Sequence, residues 1–171
     1  IEVLWHDKRK LSFISKNAQQ DQGIALDIQL DSMHSIEQLP ANAKNLLLLD
    51  NITNPQNVGM IIRSAAAGFV DGIIIPKKGC AELGPLVIKA STGSIFKAPI
   101  YRCESTATAL QFVKNTHQIA ALSLETENNF YQYDFSKPTL FVLGNESDGI
   151  SSDSKAACSV LLKIPMNNQV E

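Results

Sequence analysis

No run of about 18 consecutive apolar residues occurs in the 171-residue chain, so the sequence offers no transmembrane helix. The first stretch, IEVLWHDKRKLSFISK, lacks the basic, then apolar, then small-residue order of a signal peptide. Cysteine is scarce: Cys80, Cys103 and Cys158 are odd in number, far apart and without CxxC spacing. That pattern excludes a disulfide framework and points to reduced thiols in a cytosolic (cytoplasmic) protein. His6, His34 and His117 are equally scattered and form no ligand pair, so no metal is expected. A net charge of −2 removes any global basic field, leaving only local patches to meet a polyanion. Three glycine signatures are also missing. No GxGxxG follows the first strand, and neither GxxxxGK[ST] nor GxSxG occurs. Their absence speaks against a dinucleotide dehydrogenase, a P-loop enzyme, a Rossmann-type methyltransferase and a serine hydrolase.

What remains is a composition of 44% hydrophobic and 19% charged residues, ordinary for a globular domain. Residues 1–44 differ from the rest. They are polar, with one candidate strand at Gly23–Ile28 and a linker around Pro40, and are too short to bury a core alone. The chain begins without Met, and this segment reads as the tail of a preceding domain in a longer protein. From Leu46 strands and helices alternate, which predicts an α/β fold with a parallel sheet covered on both faces. Strands are expected at Leu46–Leu49, Asp71–Ile75, Pro99–Arg102, Gln118–Leu124, Thr139–Leu143 and Val160–Ile164. Helices are expected after Asn54-Pro55, at Leu86–Ala90, at Ser105–Asn115 and at Ser151–Ala157. On the first helix Val58, Ile61, Ile62, Ala65 and Phe69 form the stripe that should face the core.

Two stretches carry residues that a purely structural fold does not need. The first holds Asn57, Gly59 and Arg63. Gly59 costs a helix about 1 kcal/mol relative to alanine. It lies one turn before Arg63, where a missing side chain would let Arg63 or a ligand approach the backbone. Taken alone, Arg63 is more simply an exposed surface arginine. The second is Leu143-Gly144-Asn145-Glu146-Ser147-Asp148-Gly149, after a buried strand, at the sheet edge where α/β folds bind ligands. It reads equally as a solvated turn whose acids cap the next helix.

Taken together, Asn54-Pro55-Gln56-Asn57-Val58-Gly59 with Arg63, Leu143-Gly144-Asn145-Glu146 with Gly149-Ile150-Ser151, and Ile164-Pro165-Met166 resemble, in order and spacing, the three motifs of the SpoU (TrmH-like) RNA ribose 2′-O-methyltransferases. The likeness covers about residues 45–171. It implies a SPOUT-type α/β fold with a C-terminal trefoil knot, a homodimer, S-adenosylmethionine as cofactor and RNA as substrate. By the same resemblance Asn57, Arg63 and Glu146 are catalytic-site residues. Gly144 and Ile164 hold the cofactor through backbone groups, while Leu122, Leu143 and Met166 wall its adenine. Asp21-Gln22-Gly23 resembles the His-Gln-Gly that precedes this domain in two-domain members, with Asp replacing His. That tilts the expected substrate toward rRNA over tRNA and makes residues 1–44 the tail of an N-terminal RNA-binding domain. Lys77, Lys78, Lys97 and Arg102 are candidates for contacts to the RNA backbone. The third motif normally runs on into Ser-Leu-Asn and a last helix, which would close the knot and add a catalytic Asn. This sequence stops at Glu171 before them. Either the chain is cropped or disordered there, or it is a catalytically silent module that binds RNA or a partner.

Overall fold

A computed structural model describes residues 2–15, 22–30 and 33–166. It divides the chain into two compact units, Ile1–Asp31 and Ser32–Glu171. The first contains the helix α1 (Lys8–Ser15), which sequence periodicity does not announce because no residue of it is buried. The Asp7 carboxylate caps it, accepting from Lys10 N at 2.8 Å. Residues 24–30 form no strand, against the expectation for Gly23–Ile28; Ile24 and Leu26 are 69% and 75% exposed, so no neighbouring strand fixes them. Asp21, the first residue of the Asp-Gln-Gly likeness, lies outside the described residues.

The second unit is a seven-stranded, all-parallel sheet. Its strands are β1 (Met33–Ser35), β2 (Asn45–Leu49), β3 (Gly72–Pro76), β4 (Ile100–Cys103), β5 (Gln118–Leu122), β6 (Thr139–Leu143) and β7 (Val160–Leu162). They lie in the order β1-β4-β3-β2-β6-β5-β7. The helices are α2 (Pro55–Ala67), α3 (Pro85–Ala90), α4 (Thr106–Val113) and α5 (Ser152–Ala157). Strands buried on both faces read as unbroken apolar runs, and every residue of β3 is buried. Leu46, Leu48, Ile74, Leu140 and Val142 share one core with Ala109, Leu110 and Val113 of α4. Ile73, Ile75 and Ile100, one position out of phase, point to the opposite face by the pleat of the strands.

The compact unit starts before the expected boundary at residue 45. β1 pairs with β4 at the sheet edge and Ile36 is 1% exposed, so part of the segment read as the tail of a preceding domain carries a strand and a core residue of this unit. A three-residue edge strand has too few positions to show an alternating pattern. No helix among the described residues is long and apolar enough to cross a membrane.

On α2 the structure agrees with the expected cap: Asn54 Oδ1 accepts from Gln56 N at 2.9 Å, and Pro55 takes the first helical position. Val58, Ile62 and Ala65 are buried as expected. Phe69 is 97% exposed instead, because the helix ends at Ala67 and the wheel no longer applies beyond it. Gly59 also departs from expectation. A Cβ there would stand 2.4 Å from Ala90 Cβ and 2.9 Å from both Ser91 N and Val87 O, so the residue lets α2 and α3 touch rather than making room for Arg63 or a ligand. Gly59→Ala is expected to push these helices apart at a cost of about 1–3 kcal/mol, the usual penalty of overpacking. Chemical denaturation will measure that loss.

Candidate active site

Strands β2, β6, β5 and β7 all end at the same edge of the sheet, since every pairing is parallel. Above their carboxyl ends lies a cavity of about 590 Å³, within the size range of small-molecule sites. Leu122, Leu143, Leu162, Ile164 and Met166 supply apolar walls. Glu125, Glu146 and Asp148 line it too, against one cation, Lys155, which is already paired with Glu125 at 3.2 Å. Apolar walls and a net acidic lining suit a ligand with a flat apolar part and a positive charge.

The loop from Gly144 to Gly149 forms one side of this cavity. Asn145 N donates to Gly149 O at 2.8 Å and Gly149 N to Asn145 O at 2.9 Å, closing a small antiparallel hairpin. The Asn145 side chain fills it, with Oδ1 accepting from Ser147 N at 2.8 Å. Its Nδ2 reaches across to Asn51 O at 3.0 Å. The backbone at Gly144 passes so close to the returning chain that a Cβ would stand 2.3 Å from Gly149 C and 2.5 Å from Ile150 N. Only glycine fits there.

The second shared feature of the site joins α2 to this loop. Asn57, in the first turn of α2, donates from Nδ2 to Glu146 Oε1. The sequence reading placed these two residues in separate motifs; the fold puts them in contact. Leu122, Leu143, Gly144, Ile164 and Met166 all line the cavity, as does Ile61 of α2, which the helical wheel had assigned to the core. Arg63 does not line it. Arg63 is exposed and makes no hydrogen bond or ion pair with any described residue. Of the basic candidates, Lys77 and Lys97 are exposed, Lys78 pairs with Glu104 at 3.0 Å, and Arg102 is half-buried. Burial lowers the Arg102 guanidinium from its usual value and leaves Nη1 without a partner among the described residues. The three thiols are free, and burial raises each of them, Cys103 to about 11, so they stay protonated and unreactive at neutral pH.

Sequence reasoning missed Asp50. It is fully buried at the end of β2, and its carboxylate accepts from Thr106 Oγ1, Ser151 N and Ser154 Oγ. The available signal was an acid placed directly after the apolar run Leu46–Leu49. Its partners lie too far along the chain for any local pattern to reveal.

A model of the SpoU rRNA Methylase family matches residues 44–171, within one residue of the stretch that carries the motif resemblance. The chain is 35% identical over 127 residues to a protein of Xylella fastidiosa named 23S rRNA (guanosine-2'-O-)-methyltransferase RlmB, an alignment covering 74% of this chain and 51% of that one. Among solved structures, the SpoU methyltransferase AviRb from Streptomyces viridochromogenes, in complex with the cofactor AdoMet, superposes with a TM-score of 0.72 at 28% identity. That match covers 81% of this chain and 58% of AviRb. The A. aeolicus TrmH/SpoU tRNA modifying enzyme superposes with a TM-score of 0.63 at 29% identity, over 77% of this chain and 68% of the other. The chain spans about half the length of the curated relatives it matches.

Proposed function

This chain belongs to the SpoU rRNA Methylase family, and from that premise we propose that it methylates a ribose 2′-hydroxyl in structured RNA, rRNA in preference to tRNA, with S-adenosylmethionine as donor. The observation that carries the reading is the contact of Asn57 with Glu146 at the lip of the apolar, acid-lined cavity, where two of the three motifs meet. The residues present fit the cofactor. Leu122, Leu143 and Met166 give apolar surface for adenine, the acidic lining suits a sulfonium and an ammonium group, and Gly144 adds backbone to the cavity wall. The rRNA preference draws support from the name of the Xylella relative, and the tRNA enzyme among the solved structures keeps the other substrate as the comparison to test. A homodimer and a trefoil knot belong to the same proposal. The pairing of Lys163 with Asn128 and Phe130 seats the segment after β7 against the β5–β6 connection, which supports the knotted path without tracing it.

When bound, S-adenosylmethionine supplies an electrophilic methyl group. The protein's part is to position a hydroxyl and to stabilise the negative charge that grows on it as its proton passes to water. Arg63 is poorly suited to be the base, because a guanidinium keeps its proton to a pKa above about 12. It serves instead as a donor that grips an RNA phosphate and stabilises developing alkoxide charge. Asn57 and Glu146, already hydrogen-bonded to each other, orient the reacting groups at the cavity lip. Alignment of hydroxyl and methyl accounts for much of the remaining acceleration.

Transfer of radiolabelled methyl from S-adenosylmethionine to transcribed rRNA and tRNA tests the proposal. Label on a ribose 2′-oxygen of rRNA, at a rate above that for tRNA, is the expected result. RNA binding without label would replace it with the silent-module reading.

A further inference from the structure

We infer that Asp50 is a positioning residue for the cofactor loop: it fixes residues 144–151 in the shape that receives the ligand, without touching the ligand itself. The inference rests on the cofactor-binding reading above. Asp50 is not among the residues that line the cavity, yet it is 0% exposed. A buried carboxylate is costly unless its hydrogen-bonding capacity is filled, and a protein that keeps one has surrounded it with donors. Here Oδ2 accepts from Ser151 N at 2.7 Å and from Ser154 Oγ at 2.7 Å. Oδ1 accepts from Thr106 Oγ1 at 3.0 Å.

These bonds divide by what they hold. The backbone N of Asp50 donates to Leu143 O at 2.8 Å, the last residue before Gly144. The next residue, Asn51, accepts from Asn145 Nδ2 at 3.0 Å through its carbonyl. The Asp50 carboxylate then catches Ser151 N, directly after the cavity-lining Ile150. Two consecutive residues thus grip the loop at its start, at its hairpin and at its end. The bond from Thr106 is different: it comes from the first residue of α4 and touches no part of the loop. A loop held this way loses little freedom when a ligand arrives, which raises affinity without adding a contact.

The division yields a test in which stability and positioning separate. Thr106→Val and Ser154→Ala each remove one hydroxyl donor from Asp50, and only the second also takes a bond from the loop, that from Ser151 Oγ to Ser154 Oγ at 3.3 Å. Calorimetric titration of the full chain with S-adenosylmethionine is expected to give a Kd about fivefold weaker for Ser154→Ala, the worth of one ordinary hydrogen bond. Thr106→Val should stay within about twofold of the parent, although its Tm falls by as much as that of Ser154→Ala. Asp50→Ala, if it folds, should weaken binding by more than about tenfold. Hydrogen exchange in the ligand-free protein reads the same loop without the cofactor. The amides of Ser147, Asp148 and Gly149, all bonded to Asn145, should exchange faster in Ser154→Ala than in Thr106→Val. Equal shifts of the two variants in exchange, or Kd changes that follow Tm alone, would overturn the inference. A parent protein that binds no S-adenosylmethionine would overturn the cofactor reading instead, and the exchange comparison would still judge the role of Asp50.

Discussion

Replacing Arg63 with alanine is expected to lower the rate of methyl transfer by about 10²–10³-fold, the effect of losing one donor to a developing oxyanion. S-adenosylmethionine should bind the variant within about twofold of the parent affinity, because its Kd depends on cavity contacts that Arg63 does not make. The structure sharpens this split. Arg63 stands on α2 outside the cavity lining, exposed and without a partner among the described residues. A guanidinium held free in this way is available to a phosphate that arrives with the substrate. Single-turnover transfer assays alongside cofactor titration measure both halves. Full activity in Arg63→Ala would remove Arg63 from the site. A parallel loss of cofactor affinity would show that it acts through the fold.

Gly144→Ala should have the opposite profile, with cofactor binding lost first. The added Cβ would meet Gly149 C at 2.3 Å, Gly149 O at 2.4 Å and Ile150 N at 2.5 Å. All three atoms are backbone, so no side chain can rotate away to relieve the clash. The returning strand must shift, and with it go the paired bonds between Asn145 and Gly149 that shape the loop. A stability loss of about 3 kcal/mol, the upper end for overpacking, is expected together with cofactor affinity too weak to measure. Gly149→Ala provides the contrast. That residue has φ +69° but open space around its missing Cβ. It should cost only about 1–2 kcal/mol of backbone strain and leave measurable binding. If Gly144→Ala binds as well as the parent, the loop is not the wall of the cofactor site.

The contrast between these residues shows what a sequence can and cannot disclose. The parallel sheet was legible because strands covered on both faces need unbroken apolar runs, and Leu46–Leu49 and Thr139–Leu143 supply them. Of the cavity residues, Leu122, Leu143, Gly144, Glu146, Ile164 and Met166 were legible through motif resemblance, not through any periodicity. Gly59 shows the limit from the other side. A glycine inside a helix announces a close approach but not to what, and the partner proved to be the backbone of α3 and its following turn. Asp50 was invisible for a related reason. Its meaning lies in Thr106, Ser151 and Ser154, which only the fold brings to it. The edge strand β1 left no trace because three residues carry no pattern.

The order of the strands also sets when the site can exist. The sheet's central pairing joins β2, near the start of the compact unit, to β6, and the cavity is then bounded by β5, β7 and the residues that follow them. Such pairings close long loops before any contact repays them, which places the fold among the slow ones. During synthesis the strands β2, β3 and β4 emerge together and can pair as neighbours, whereas the ligand cavity waits for residues 160–166. Its assembly is therefore a late step, and a ligand that binds there acts as a clasp on the finished protein: it cannot guide folding, but by mass action it will slow the fold's undoing.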